Sequence, residues 1–129
     1  LPEKFPSRYT EYIVPTAGSV PADVVPGPDG NIWFTEYVGN KIGRLTPAGA
    51  ITEYALPQAA SMPIAIAVGP DGNLWFTETN ANRIGRITPL GASAEFDLPA
   101  GPKGPQGIVS GPGERYGWSQ TSATRSCRR

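Results

Sequence analysis

"GPDGNIWFTEYVGNKIGRLTP" (Gly27–Pro47) returns as "GPDGNLWFTETNANRIGRITP" (Gly69–Pro89), 42 residues later. The period holds outside the quoted stretch as well. Glu11, Glu53 and Glu95 open "EYIVP", "EYALP" and "EFDLP", and Pro21, Pro63 and Pro105 mark one point three times. Self-similarity at such a period signals stacked structural units, so it governs the fold before any single residue does.

Within one unit, short apolar or β-branched runs alternate with Gly, Pro, Asn and Asp, the pattern of strands and tight turns. The second unit predicts four strands, Ile64–Val68, Asn73–Glu78, Arg83–Thr88 and Ser93–Leu98. "GPDGN" joins the first two, with Pro70 presetting φ and Gly72 free to take a positive φ, and "TPLGA" joins the last two. Four strands every 42 residues, with no gaps, fit all-β propeller blades: four-stranded antiparallel sheets that pack face to face around a channel. A β-sandwich is the alternative, but it has no need for every sheet to present the same two faces. Trp33 and Trp75 then read as packing between blades.

The blade topology sorts the loops. The second-to-third loops and the connections between blades open at one end of the channel, and the "GPDGN" turns open at the other. The first end collects the candidate ligand-facing rim: Tyr37, Asn40 and Lys41 from one blade, Thr79, Asn80 and Asn82 from the next, with Gln58, Ser61 and Lys103 from the connections. Glu36 and Glu78 end the second strands there, where a carboxylate holds a hard divalent cation or sits in solvent; both are the candidate metal ligands. Asp29 and Asp71 read as turn residues that bond their own backbone. Arg44 and Arg86 read as structural, each reaching a carboxylate or backbone carbonyls of the neighbouring blade. Glu53 and Glu95, in the outermost strand, read as solvated.

Composition narrows the chemistry. The 129 residues carry a formal charge of zero, which points to neither nucleic acid nor membrane. There is no histidine, which removes the commonest general base and a common metal ligand. No nucleophile elbow, phosphate loop or cysteine metal cluster is present, so no catalytic residue is assigned. The single Cys127 says nothing about compartment, and localisation stays open.

"GPDGNLWFTE", "NRIGRITP" and "EFDLP" at this period resemble the virginiamycin B lyase (streptogramin B lyase) family of seven-bladed propellers, from Tyr9 through Gly111. The resemblance implies a magnesium-assisted elimination that opens the ester bond of a cyclic depsipeptide antibiotic, with histidine as base and the metal as Lewis acid. In the family's catalytic blade a Glu-Pro-His sequence leads into the innermost strand, and a second Glu ends the next strand. Matched on Pro21, Pro63 and Pro105, the first Glu is replaced by Val20, Met62 and Gly104, and the histidine by Ala22, Ile64 and Gln106. The second Glu is kept as Glu36 and Glu78. These blades therefore resemble non-catalytic members of the ring. A non-catalytic propeller that binds a ligand or protein is the alternative reading.

The margins differ in kind. Residues 8–14, "RYTEYIV", predict a fourth strand without its first three. Residues 1–110 then form a partial propeller, with blades at about 22–57 and 64–99, and 111–129 an aberrant, disordered tail. Residues 1–110 hold seven Lys/Arg against ten Asp/Glu, net −3, whereas 111–129 hold four Arg against Glu114, net +3. Back-translation with one base restored near Gly113 turns the tail into a sequence like that of a blade, which reads as a frameshift. Closed propellers need roughly four to eight blades, so an arc of two predicts open edges and self-association.

Overall fold

The computed structural model describes residues 10–99, 104–111, 115–119 and 124–128. These form three antiparallel sheets and no helix. The first sheet runs β1 (Pro21–Pro26), β2 (Ile32–Glu36), β3 (Lys41–Leu45) and β4 (Ile51–Ala55), in that spatial order. The second repeats it as β5 (Pro63–Val68), β6 (Leu74–Glu78), β7 (Arg83–Ile87) and β8 (Ser93–Asp97). The strands expected in the second unit lie within a residue of these bounds at each end.

The turns explain why the chain reverses where it does. Asp71 Oδ1 accepts the Asn73 amide at 3.2 Å, and Gly72 takes φ 79°. The same carboxylate oxygen accepts the Trp75 indole N–H at 3.1 Å. In the first sheet Asp29 does likewise, for Asn31 at 3.2 Å and Trp33 at 3.0 Å. One acid therefore sets both the turn and the large side chain that starts the next strand.

The innermost strands β1 and β5 lie side by side, and the sheets fan outward from them, which is the arrangement of propeller blades and not of a sandwich. Trp33, Ile42 and Leu56 of the first blade bury against Ile66, Leu74, Phe76 and Ile87 of the second. Trp33 is fully buried; removing a side chain of that size from water contributes on the order of 4–6 kcal/mol. Polar groups fasten the same interface near its axis. Thr35 Oγ1 donates to the Ile64 carbonyl at 2.7 Å, and the Ile66 amide donates to Asp23 Oδ2 at 3.0 Å. Further out, Arg44 donates to the Pro89 carbonyl at 3.3 Å with its guanidinium 5.9 Å from the rings of both Trp33 and Tyr54. Arg86 stands over Trp75 and Phe96 at 5.6 and 5.5 Å. Both arginines thus serve the structure, as their recurrence implies.

The margins depart from the sequence expectation. The described part of the N-terminal segment, residues 10–14, forms no strand, because no sheet stands beside it for its backbone to pair with among the described residues. Tyr12 nonetheless lies over Gly49 of the next blade as Tyr54 lies over Gly91, one period on. The tail from residue 111, expected to be irregular, supplies two backbone strands, β10 (Arg115–Ser119) and β11 (Thr124–Arg128), which join β9 (Gly107–Gly111) in a three-stranded sheet. β9 lies against β5 and β6, in the place of a third blade.

Candidate functional site

The second-to-third turns and the connections between blades share one end of the sheets, and there the rim side chains are largely occupied with one another. Asn40, at φ 59°, donates to the Gln58 carbonyl at 2.7 Å and accepts the Ser61 amide at 2.8 Å. Thr79 Oγ1 donates to the Pro105 carbonyl at 2.6 Å, and Asn80 to the Ala60 carbonyl at 2.9 Å. Asn82, at φ 60°, accepts the Leu98 amide on its main-chain carbonyl at 3.2 Å, with Oδ1 buried. Lys41 donates to Thr16 Oγ1 at 2.6 Å and pairs with Glu53 at 3.6 Å. Tyr37 is half-buried. Lys103 lies outside the described residues. Side chains that a sequence reading offers to a ligand therefore clip one blade's loops to the next.

Glu36 and Glu78 end β2 and β6 as expected, but neither faces open space: both are fully buried. With both ionised, no oxygen of either carboxylate has a hydrogen-bond partner. The register explains their neighbours. Gly43 sits between Phe34 of β2 and Glu53 of β4, and Gly85 between Phe76 and Glu95. Each glycine leaves a gap that the strand-ending Glu and the fourth-strand Glu share; a Cβ on Gly85 would stand 2.6 Å from Glu78 Oε2. Burial, and then the Glu53 carboxyl beside it, push Glu36 up to about 7. Burial and Glu95 push Glu78 up to about 8. A proton on either acid makes it a donor to its partner, which gives one oxygen of each pair the hydrogen bond it lacks.

Glu53 and Glu95 are thus not the solvated residues that their place in the outer strand suggested. Glu53 accepts Thr16 Oγ1 at 2.9 Å and the Thr16 amide at 3.2 Å. Burial pushes its carboxyl up, but those hydrogen bonds outweigh it and hold Glu53 below the ordinary value. Glu95 pairs with Arg83 at 3.3 Å, and Arg83 also bonds Asp97 at 2.6 Å. Period-two alternation within each strand, combined with the register between strands, puts Glu36, Gly43 and Glu53 on one face, with the residue between the two acids lacking a side chain.

These donors do not fit a magnesium centre. Among the described residues no three acids or other ligating groups converge, and each buried acid faces one further carboxyl with a cation close by. Such a pair favours a shared proton over a hard dication, which needs six oxygen ligands and retains several waters. The positions matched to the family's first Glu, Val20, Met62 and Gly104, all take a left-handed backbone, φ 56°, 57° and 81°. Those matched to its histidine are an exposed Ala22, a half-buried Ile64 and an exposed Gln106, none of which can take up a proton at neutral pH.

Comparison with known proteins agrees with this architecture. A virginiamycin B lyase of Bacillus licheniformis is 50% identical over 44 residues, 34% of this chain and 15% of that protein. The selenomethionine-substituted virginiamycin B lyase of Staphylococcus aureus superposes with a TM-score of 0.83 at 35% identity, over 93% of this chain and 45% of that one. A catalytically inactive histidine-to-alanine variant of the Staphylococcus aureus enzyme, solved with quinupristin, superposes with a TM-score of 0.84 at 35% identity, over 92% of this chain and 44% of that one. The chain spans less than half the length of these solved relatives. Residues 5–128 match the family described as Virginiamycin B lyase. With a 42-residue blade, a shared fold and a match across nearly its whole length, the chain belongs to the virginiamycin B lyase family.

Proposed function

We propose that this chain forms structural, non-catalytic blades of a streptogramin B lyase-type propeller and has no lyase activity alone. The carrying observation is the absence of histidine from all 129 residues, with Ala22, Ile64 and Gln106 standing where the resemblance places the base. The Staphylococcus aureus variant described as catalytically inactive differs by one histidine, which agrees with a requirement for that group. The family reaction, elimination across the ester of a cyclic depsipeptide, needs a base at the carbon that loses its proton. In this chain the buried acids Glu36 and Glu78 are sealed from any such substrate, and magnesium gains no site from them. The blades' contribution is mechanical: they hold a wall of a ring whose antibiotic-binding chemistry lies on other blades.

The test is incubation with a streptogramin B antibiotic and magnesium, with a complete lyase as positive control. Elimination leaves the mass of the antibiotic unchanged, so the readout is chromatographic retention together with the absorbance of the new carbon–carbon double bond. The antibiotic stays cyclic with this chain; ring opening above the buffer rate overturns the reading.

A further inference from the structure

Each buried acid pair adjoins the connection by which the chain enters its blade. Glu36 stands opposite Pro21 across β1 and β2, and Glu78 opposite Pro63 across β5 and β6. A Cβ on Gly39 would stand 3.0 Å from Glu36 Oε1 and 2.8 Å from Cβ of Ser19, so the strand end, the turn and the connection converge on one carboxyl. Ser19 and Ser61 are buried although both belong to connections. Charged groups face the pairs from the remaining strands: Lys41 of β3 and Glu53 of β4 in the first blade, Arg83 of β7 and Glu95 of β8 in the second, with Asp97 holding Arg83 from outside. Burial and the second acid favour the protonated form, and they outweigh the Ser19 and Ser61 hydroxyls and the nearby cations, which favour the charged one.

The connections are strained where they meet the strands. Val20 and Met62 take φ 56° and 57°, a left-handed backbone that a β-branched residue such as Val20 rarely enters. Such a conformation persists only where its surroundings hold it. The Tyr37 amide donates to the Val20 carbonyl at 2.9 Å, and the Val38 and Gly39 amides to the Ser19 carbonyl at 2.9 and 3.0 Å. In the second blade the Thr79 amide donates to the Met62 carbonyl at 3.2 Å and the Asn80 amide to the Ser61 carbonyl at 3.1 Å. β2 and β6, by contrast, are paired along both edges. A few hydrogen bonds on a strained turn give way before a doubly paired strand, so the route by which water reaches either pair is the connection.

We propose that each strand-ending acid and its fourth-strand partner form a proton-sharing latch that holds the connection entering the blade in its left-handed turn, so that loss of the shared proton frees the connection while the sheet stays folded. The proton occupies the acids that the resemblance offers to a metal. Opening releases it, because a carboxyl in water returns to its ordinary value of 4.5. The latch is therefore complete below about pH 4.5, weakens as the pH rises, and is spent near 7 in the first blade and near 8 in the second. The inference rests on the geometry of the pairs and is independent of the reading of lyase activity.

Amide hydrogen exchange on the full chain, followed by NMR and corrected for the base catalysis of exchange itself, tests it. Protection at Tyr37, Val38 and Gly39 falls by up to about tenfold for each unit of pH above about 4.5 and levels off near 7, whereas at Thr79 and Asn80 the fall continues to near 8. Gly27 and Gly69, whose amides bond the Asn31 and Asn73 carbonyls at the opposite end of the sheets, keep their protection. Glu36→Gln has no proton to lose, so it makes the first blade's three amides indifferent to pH and leaves the second blade's two as they were; Glu78→Gln does the reverse. In the parent chain the carboxyl carbons of Glu36 and Glu78 titrate near 7 and 8, a readout that needs no variant to fold. Protection that is constant with pH, a fall shared equally by Gly27 and Gly69, a fall that persists in Glu36→Gln and Glu78→Gln, or carboxyls that titrate at their ordinary value overturns the proposal.

Discussion

Gly43 and Gly85 occupy the same place in consecutive blades, yet alanine is expected to be tolerated at one and not at the other. A Cβ at Gly85 would stand 2.2 and 2.3 Å from ring atoms of Phe76 and 2.6 Å from Glu78 Oε2. To reach ordinary contact, about 3.4 Å, the ring must retreat by roughly 1 Å. Phe76 is fully buried beneath Trp33 and Ile42 and has nowhere to go. At Gly43 the clash with Phe34 is as close, 2.2 Å, but Phe34 borders an open apolar groove and is free to tilt into it. Overpacking costs about 1–3 kcal/mol, the upper end where the surroundings cannot yield. Gly85→Ala therefore loses about 3 kcal/mol and Gly43→Ala about 1 kcal/mol. At roughly 4 °C per kcal/mol for a chain of this size, the midpoints separate by about 8 °C. Thermal melts followed by far-ultraviolet circular dichroism, run on both variants at one matched concentration, measure the gap. Equal losses, or a larger loss at Gly43, would refute the idea that confinement sets the cost.

Stability is also expected to fall as the solution becomes alkaline. Glu36 and Glu78 titrate near 7 and 8 in the folded chain, against an ordinary value of 4.5, so the folded state binds more protons than the unfolded one between those limits. Their contribution is complete below about pH 4.5 and is lost as the pH rises through 7 to 8; urea midpoints at pH 5 and pH 9 report it, and Glu78→Gln flattens the difference. Asp29→Ala strips the acceptor from the buried Trp33 indole and from Asn31, and should cost about 2 kcal/mol, whereas Asp29→Asn keeps an acceptor and loses under half of that. Burial raises the Asp29 carboxyl, but those donors outweigh it and hold it below its ordinary value. A urea midpoint for Asp29→Ala equal to that of the parent would remove the link between turn and core.

The fold was legible because the repeat supplies two readings of every position. Trp33 and Trp75, or Asp29 and Asp71, confirm each other's roles, and the strands follow from the punctuation around them. The site was less legible because its chemistry depends on register across strands. Glu53 reads as solvated along the chain; only the pairing of Glu53 with Gly43, and of Gly43 with Phe34, shows that an absent side chain draws it towards Glu36. The rim asparagines mislead for a related reason. An Asn in a loop suits a ligand or a neighbouring carbonyl equally well, and the Gln58 carbonyl that occupies Asn40 is 18 residues away in sequence. Residues 10–14 form no strand because pairing is a property of two segments, and among the described residues no partner lies beside them.

Each blade also carries its own optical reporter. Trp33 is sealed between the first and second blades and Trp75 between the second blade and the third sheet, each with its indole N–H on an aspartate and an arginine over its ring. The two indoles therefore begin in matched surroundings but watch different seams. In repeat proteins each unit's stability is set by its neighbours, so a seam can open while the next still holds. With Trp118 also replaced, exchanging Trp33 or Trp75 for phenylalanine leaves the emission of the other to record when its own seam gives way. The molecule is in this sense already labelled for following whether a propeller comes apart blade by blade or all at once.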